Sequence, residues 1–587
     1  LTFKPIKGLS ISGIVSPFIN YQKKKAFKNS CGYTLPDDPE TFGGYFDSGS
    51  TWTTNSLTET RNDDYNVTSQ AIANYMGTFG SHNLTVMAGF ENYYMKSESL
   101  GAARDKYELT GYPYLNIGSE DFQTNSGTGS EYTSNSVFGR VIYSYADRYL
   151  FQANVRHDGS SRFAKGYRWG TFPSFSAGWV ASEEKFMKNL KWDWLSFLKL
   201  RGSWGMLGNE RIGSNYFPYI ALMSFGNSLF YMADGSVVSD KTARPAVLAV
   251  EDITWETTTS TDLGLDVNFL NNRLQFHFDY YWKETKDMLL NIEIPYFMGY
   301  NNPSTNAGKM STHGYDIEVA WNDQIGDFKY GVNVNFSDFL SKIDYMNDGE
   351  QISGGKIKRA GVLFNEFYGY VCEGIYQTQE EVNNSARTST TVTVGDLKYR
   401  DISGPDGVPD GVISPEYDRV PLGNSLPRFQ YGGSLNASYK GIDFSLAFQG
   451  IGKQNSYLST SMVQPLRDNY GNVPAILEGK YWSPFNTTEE NLAAKYPRLS
   501  NVSKSNNYAT SNFWMFNGSY FRLKNITLGY TLPKSWTQKA GINRARFYVS
   551  GSDLFCLSNF PSGWDPEMGT SDYPITTSLV MGIQVNF

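Results

Sequence analysis

The run Asp406-Gly407-Val408-Pro409-Asp410-Gly411-Val412-Ile413 comes nearer to metal chemistry than any other stretch of the sequence. Ca²⁺ takes several hard oxygen ligands, and carboxylates spaced along a glycine-turned loop can supply them. The run matches a calcium loop at its first, fifth, sixth and eighth positions. It departs at the third, where Val408 has no side-chain oxygen. It departs again at the twelfth, where Tyr417 stands and Asp418 follows one residue late. Asp401 and Ser403 lie just upstream, so the candidate ligands are Asp401, Ser403, Asp406, Asp410 and Asp418. An ordinary Asp-Gly turn loop is the simpler account of so incomplete a motif.

Five aromatics in polar connecting segments, Trp52, Tyr231, Phe297, Tyr300 and Trp482, are candidate platforms for stacking on sugar rings. Packing inside the loops is the more economical reading of any one of them. Enzyme chemistry finds no foothold. The sequence has no nucleophile elbow, phosphate-binding P-loop or HExxH motif. The histidines, His82, His157, His277 and His313, have no ligand spacing. The adjacent pair Glu380-Glu381 suits a solvated loop face better than an acid/base dyad. We expect no enzyme and no cofactor beyond the candidate calcium. A net charge of -7 with no basic stripe argues against nucleic acid. Cys31, Cys372 and Cys556 are far apart and odd in number, so they form no disulfide framework.

The elements that must position these residues are strands. Gly, Tyr and Phe number 56, 41 and 38 of 587 residues, and only 19% are charged, below the usual quarter. Mean hydropathy is nevertheless -0.42. No run approaches the roughly 18 apolar residues of a membrane helix. Many strands with one wet face reconcile these facts. Around the turn Leu270-Asn271-Asn272-Arg273, one face carries Leu263, Leu265, Val267, Phe269, Leu274, Phe276, Phe278, Tyr280 and Trp282. The other carries Asp262, Gly264, Asp266, Asn268, Gln275, His277, Asp279 and Tyr281. The pattern recurs at 137–155, 315–336 and 435–448, and the apolar positions carry no charge. Lipid demands this, because Lys or Arg at mid-bilayer on the outer face costs ~2–4 kcal/mol. A soluble sandwich would also be clean, but it would not collect Tyr and Trp at strand ends as an interfacial girdle does.

The alternation predicts seventeen strands near 1–5, 8–22, 63–79, 84–95, 131–145, 149–158, 169–182, 196–207, 256–269, 274–287, 312–321, 328–342, 427–440, 442–456, 517–532, 543–556 and 575–587. Tight turns (5–8, 80–83, 146–148, 270–273, 322–327, 440–441) mostly alternate with long polar loops (23–62, 95–130, 208–255, 343–426, 457–516). Short periplasmic turns and long outer loops define outer-membrane barrels. Residues 183–195 read as a small helix on the turn side. The last residues alternate up to a terminal aromatic, Phe587, as a barrel-assembly signal does. The fold class is therefore all-β, a transmembrane antiparallel barrel with long extracellular loops. A soluble all-β carbohydrate-binding or structural protein is the rival from another class.

Several segments resemble the SusC family of TonB-dependent transporters. They are Arg156-His157-Asp158-Gly159-Ser160-Ser161-Arg162-Phe163, Arg168-Trp169-Gly170-Thr171-Phe172-Pro173-Ser174 and Ser182-Glu183-Glu184-Lys185-Phe186-Met187. Leu198-Lys199-Leu200-Arg201-Gly202-Ser203-Trp204-Gly205, Trp255-Glu256-Thr257-Thr258, Asn306-Ala307-Gly308-Lys309-Met310 and Tyr520-Phe521-Arg522-Leu523-Lys524-Asn525-Ile526 follow in the family's order. The resemblance implies a barrel of about 22 strands around an N-terminal plug. It also implies location in the bacterial outer membrane with the C-terminus on the periplasmic side, and energy from TonB. The implied partners are a SusD-like surface lipoprotein, the lipid bilayer and an oligosaccharide or oligopeptide substrate, with oligosaccharide favoured; such complexes often pair as dimers. A siderophore receptor or a passive porin is the alternative within transport. The sequence shows no plug, TonB box or signal peptide. We therefore expect residues 1–587 to be the C-terminal part of a receptor barrel. About 17 of 22 strands would lie here, and TonB would be reached through a region outside this chain.

Overall fold

A computed structural model describes every residue except 31, 36, 46–53, 212–215, 222, 246–247, 293, 348, 461–462, 467–472 and 570–572. Among the described residues, seventeen strands make up one large sheet. Each of the seventeen coincides with a strand predicted from alternation. The chain forms two compact units. The first comprises Leu1–Phe175, Gly205–Thr257 and Leu289–Asn306, and the second Ser176–Trp204, Thr258–Met288 and Ala307–Phe587.

In the first unit, Thr2–Ile6, Leu9–Lys28, Ser56–Phe79, His82–Asp105, Gln123–Tyr145 and Tyr149–Ser160 pair antiparallel, each with its sequence neighbour. Ser56–Phe79 and His82–Asp105 are each 24 residues long and pair from end to end. A tilted membrane strand needs only about 9–11 residues. The extra length begins at 56 instead of 63 and ends at 105 instead of 95. Beyond the bilayer both faces are wet, so alternation vanishes there while the hydrogen-bonded ladder continues.

In the second unit the order is the strand Ser304–Ile325 from Ala307 onward, Phe328–Met346, Arg428–Tyr439, Ile442–Lys453, Tyr520–Thr531, Arg544–Ser558 and Ser578–Asn586, again antiparallel between neighbours. Registers bring the apolar sets into rows: Leu435 opposite Leu446, Leu446 opposite Ile526, Leu528 opposite Val549, and Val549 opposite Met581. Leu435, Leu528, Val549 and Met581 are all exposed. The opposite face is polar. Thr527 and Ser550 hydroxyls lie 2.8 Å apart, Asn333 donates to Glu318 at 2.7 Å, and Arg546 donates to Asp443 at 2.9 Å. A chain with an apolar exposed face and a charged, cross-bonded opposite face has lipid for one solvent and water for the other.

The turn Lys440-Gly441 closes one hairpin in two residues. Both have positive φ, 45° and 90°, which matches the twist of the flanking strands. A Cβ on Gly441 would also meet the Thr531 carbonyl oxygen at 2.7 Å, so glycine is required twice over. The predicted turn-side helix is present as Lys185–Asn189.

The long loops are not bare connections. Residues 350–424 build a four-stranded sheet from Glu350–Ser353, Lys356–Arg359, Glu366–Tyr370 and Arg419–Asn424. Cys372–Ile375 pairs with Leu397–Tyr399, and Asn455–Tyr457 with Met515–Asn517. No helix among the described residues is long and apolar enough to cross a membrane.

Candidate functional site

The functional surfaces are the polar strand faces and the folded outer loops above them. On the polar face of the second unit, Arg201 donates to Asp279 at 2.7 Å and to Asp266 at 3.2 Å. Asp266 also meets His277 at 3.0 Å. Arg522, whose side chain is 3% exposed, donates to Asp565 at 2.6 Å and lies near Asp553. It thereby holds the loop around Asp565 against the strand Tyr520–Thr531. Arg201 and Arg522 come from two of the family-like segments, and their role here is to cross-link a charged wall.

Other family-like segments converge in the first unit. Phe163, Phe172, Ile253 and Trp255 form one buried cluster. The Trp255 indole N–H donates to the Arg168 carbonyl at 2.9 Å, and Arg168 donates to the Phe163 carbonyl at 2.9 Å. Residues nearly 90 positions apart are thus locked at one strand end.

The outer loops of the second unit have their own core, with Tyr370, Leu397, Tyr399 and Ile413 buried together. At its centre sits Asp396, fully buried. Its carboxylate accepts from Arg498 at 2.7 Å, Ser503 Oγ at 2.9 Å, Asn507 Nδ2 at 3.0 Å and the Thr393 N–H at 3.0 Å. Asn506 Nδ2 donates to the Leu397 carbonyl and Asn507 Oδ1 accepts the Leu397 N–H, both at 2.9 Å. The Trp514 indole N–H donates to the Asn507 carbonyl at 2.7 Å. Every partner saturates a group that would otherwise be stranded away from water. Burial pushes the Tyr376 hydroxyl up to about 12 and the Cys372 thiol up to about 11, so both stay neutral. Sequence reasoning missed this network. Its only trace was the polar pair Asn506-Asn507 within a loop.

The candidate calcium ligands take up other work. Asp418, fully buried, accepts the N–H of Ile402 at 2.7 Å, of Ser403 at 3.2 Å and of Ser414 at 2.7 Å. Asp401 accepts the Gly411 N–H at 2.7 Å, and Asp410 accepts the Val412 N–H at 2.9 Å. Asp406 is exposed. Among the described residues, no group of three or more His, Cys, Asp or Glu side chains is placed to hold a metal ion. Asp401, Asp410 and Asp418 each pin backbone N–H groups of the loop, as aspartates do in an Asp-Gly turn loop.

The candidate aromatics are scattered. Trp52 lies outside the described residues. Tyr231 ends one strand of the hairpin Met223–Tyr231/Val237–Pro245 and is 83% exposed; Phe297 is 88% exposed in the turn Tyr296–Met298. Tyr300 is half-buried. Trp482 is 9% exposed and its indole N–H donates to Gln377 at 3.2 Å. It belongs to the loop core and offers no open face for stacking.

An all-β chain with one lipid-suited face, one charged face and folded outer loops defines a transmembrane β-barrel. A family model described as TonB dependent receptor-like, beta-barrel matches residues 18–550, and the chain belongs to that family. TonB-dependent receptor P3 of Formosa agariphila is 30% identical over 560 residues, covering 89% of this chain and 52% of that protein. TonB-dependent receptor SusC of Bacteroides thetaiotaomicron is 28% identical over 538 residues, 89% of this chain and 50% of its own length. The chain thus spans about half the length of the curated relatives it matches. The solved RagAB peptide transporter matches all of this chain and 61% of its own, with a TM-score of 0.79 and 23% identity, which shows the shared fold. The expectation of a SusC-type receptor barrel is borne out.

Proposed function

We propose that the chain forms the wall and outer loops of an outer-membrane importer of oligomeric nutrients, driven by TonB. Membership in the TonB-dependent receptor family carries this reading. The tight turns and the C-terminus face the periplasm, and the folded loops face outward. The plug, the remaining strands and the contact with TonB come from polypeptide beyond this chain. Charged cross-links such as Arg201–Asp279 give the lumen a polar wall suited to hydroxyl-rich or amide-rich ligands, with oligosaccharide favoured over oligopeptide. The chain contributes walls and contacts, and no chemical step. A SusD-like surface lipoprotein covers the long loops, where Tyr231 and Phe297 expose their rings.

The test is made on the full receptor, expressed with its neighbouring lipoprotein and extracted in detergent. We expect the two to copurify at equal stoichiometry, and cells lacking TonB to lose uptake of the oligomer. Native mass of the receptor alone would overturn the partner. Undiminished uptake without TonB would overturn the mechanism.

A further inference from the structure

We propose that the lipid-facing wall carries a site for an anionic phospholipid of the periplasmic leaflet. The site lies across the strands Ile442–Lys453, Tyr520–Thr531, Arg544–Ser558 and Ser578–Asn586. It rests on the membrane orientation proposed above.

The groove has a simple origin in register. One cross-strand row consists of Leu528, Val549 and Met581, and the next of Tyr530, Phe547 and Ile583. Between them runs the register row Gly529, Tyr548 and Gly582. The side chains of that middle row belong to the other face of the sheet, so on the lipid side only backbone lies between the two apolar rows. The result is a recess of about 770 Å³, lined almost wholly by carbon. An open apolar groove of this kind lets an acyl chain lie along the wall.

Charge and aromatic placement select the headgroup. Tyr530 and Phe547 are exposed at the turn end of these strands, and Tyr439 and Phe328 at the turn ends of the two strands Arg428–Tyr439 and Phe328–Met346, where an interfacial girdle is expected. Trp536, on the short helix Lys534–Thr537 in the connection to the next strand, is 63% exposed. That connection is held to the wall by the Leu532 N–H donating to the Ala545 carbonyl at 2.9 Å. Residues 532–552 contain no Asp or Glu. Lys534 and Lys539 are exposed there, and the Lys440 ammonium sits 5.3 Å over the Tyr439 ring on the adjoining turn. Among the acids at this end, Asp323 is held by Arg273 at 3.3 Å. Asp443 is held by Arg546 on the polar face, and Asp327 lies 3.9 Å from Lys440 in an exposed pair that contributes little. A basic rim above an apolar groove complements a phosphate headgroup with its acyl chain.

The full receptor is delipidated in detergent, exchanged into mixed phosphatidylglycerol and phosphatidylcholine, and its retained lipids are read by native mass spectrometry. We expect phosphatidylglycerol to be retained with a preference of about tenfold or more. Lys440→Gln, Lys534→Gln and Lys539→Gln together should abolish the preference, and Val549→Trp should lower retention of both lipids by filling the groove. Free glycerol phosphate should not compete, because it lacks the chain. No preference in the wild type, or an unchanged preference in the triple variant, would overturn the proposal. So would a second protein copy lost on Val549→Trp. Failure of the parent reading is separable, since a protein that is no outer-membrane barrel would not fractionate with outer membranes at all.

Discussion

Leu435→Arg should lower the yield of assembled receptor in outer membranes by about tenfold or more, while Asn436→Arg should leave it near wild type. The two positions are neighbours in one strand, so backbone propensity and distance from the turn are shared. Only the face differs. Leu435 is exposed in the apolar row with Leu446 and lies five residues above the turn Lys440-Gly441, well inside the hydrocarbon. Arg there costs ~2–4 kcal/mol, and each ~1.4 kcal/mol is a factor of ten. Asn436 lines a recess shared with Arg273, Asp323, Lys329 and Asp443, where a guanidinium finds water and other charged groups. The measurement is the heat-modifiable folded band in outer-membrane fractions. Equal yields for both variants would show that the facing assignment is wrong.

The second large effect concerns the outer loops. Asp396→Ala removes a fully buried carboxylate and leaves Arg498, Ser503, Asn507 and the Thr393 N–H facing a void. Breaking one side of such a pair costs ~3–5 kcal/mol. The loop core should open while the membrane strands stay folded. Trypsin applied to intact cells should then cut within the outer loops of the variant far faster than in the wild type, and the heat-modifiable band should persist before digestion. Asp406→Ala, at an exposed position in the same loop, is the control and should change nothing. Identical cleavage rates for Asp396→Ala and wild type would mean that the network does not hold the loops.

These two cases mark what was legible in the sequence. Leu435 and its row could be read because lipid imposes a rule on every second residue, and the rule is visible locally. That is why all seventeen strands were found to within several residues at their turn ends. The outward extensions of Ser56–Phe79 and His82–Asp105 were not, because water on both faces imposes no alternation. Asp396 could not be found for a different reason. Its partners Arg498 and Asn507 lie 102 and 111 residues away, and no local pattern announces a contact of that span. Asp418 was noticed as a candidate cation ligand, and the structure sets its carboxylate on the N–H groups of Ile402, Ser403 and Ser414. A carboxylate near glycines can serve a cation or backbone N–H groups, and the sequence alone does not distinguish them. Trp482 was likewise chosen by type, and its environment was decided by Gly395, whose missing side chain makes room for the indole.

Within each unit, the registers described join strands that are consecutive in the sheet, and most are linked by a tight turn or a single loop. Such a wall can grow one hairpin at a time, each new strand finding its template in the strand just laid down, with little loop-closure entropy to overcome. The crown of outer loops is the reverse case, since Asp396 must wait for residues a hundred positions later. The order of events is therefore built into the connectivity. The wall's connectivity suits stepwise templating, whereas the Asp396 network can close only once Arg498, Ser503 and Asn507 are in place. Until then, Asp396 and its neighbours stand hydrated and exposed, a window in which proteases or chaperones outside the membrane would meet a half-finished receptor.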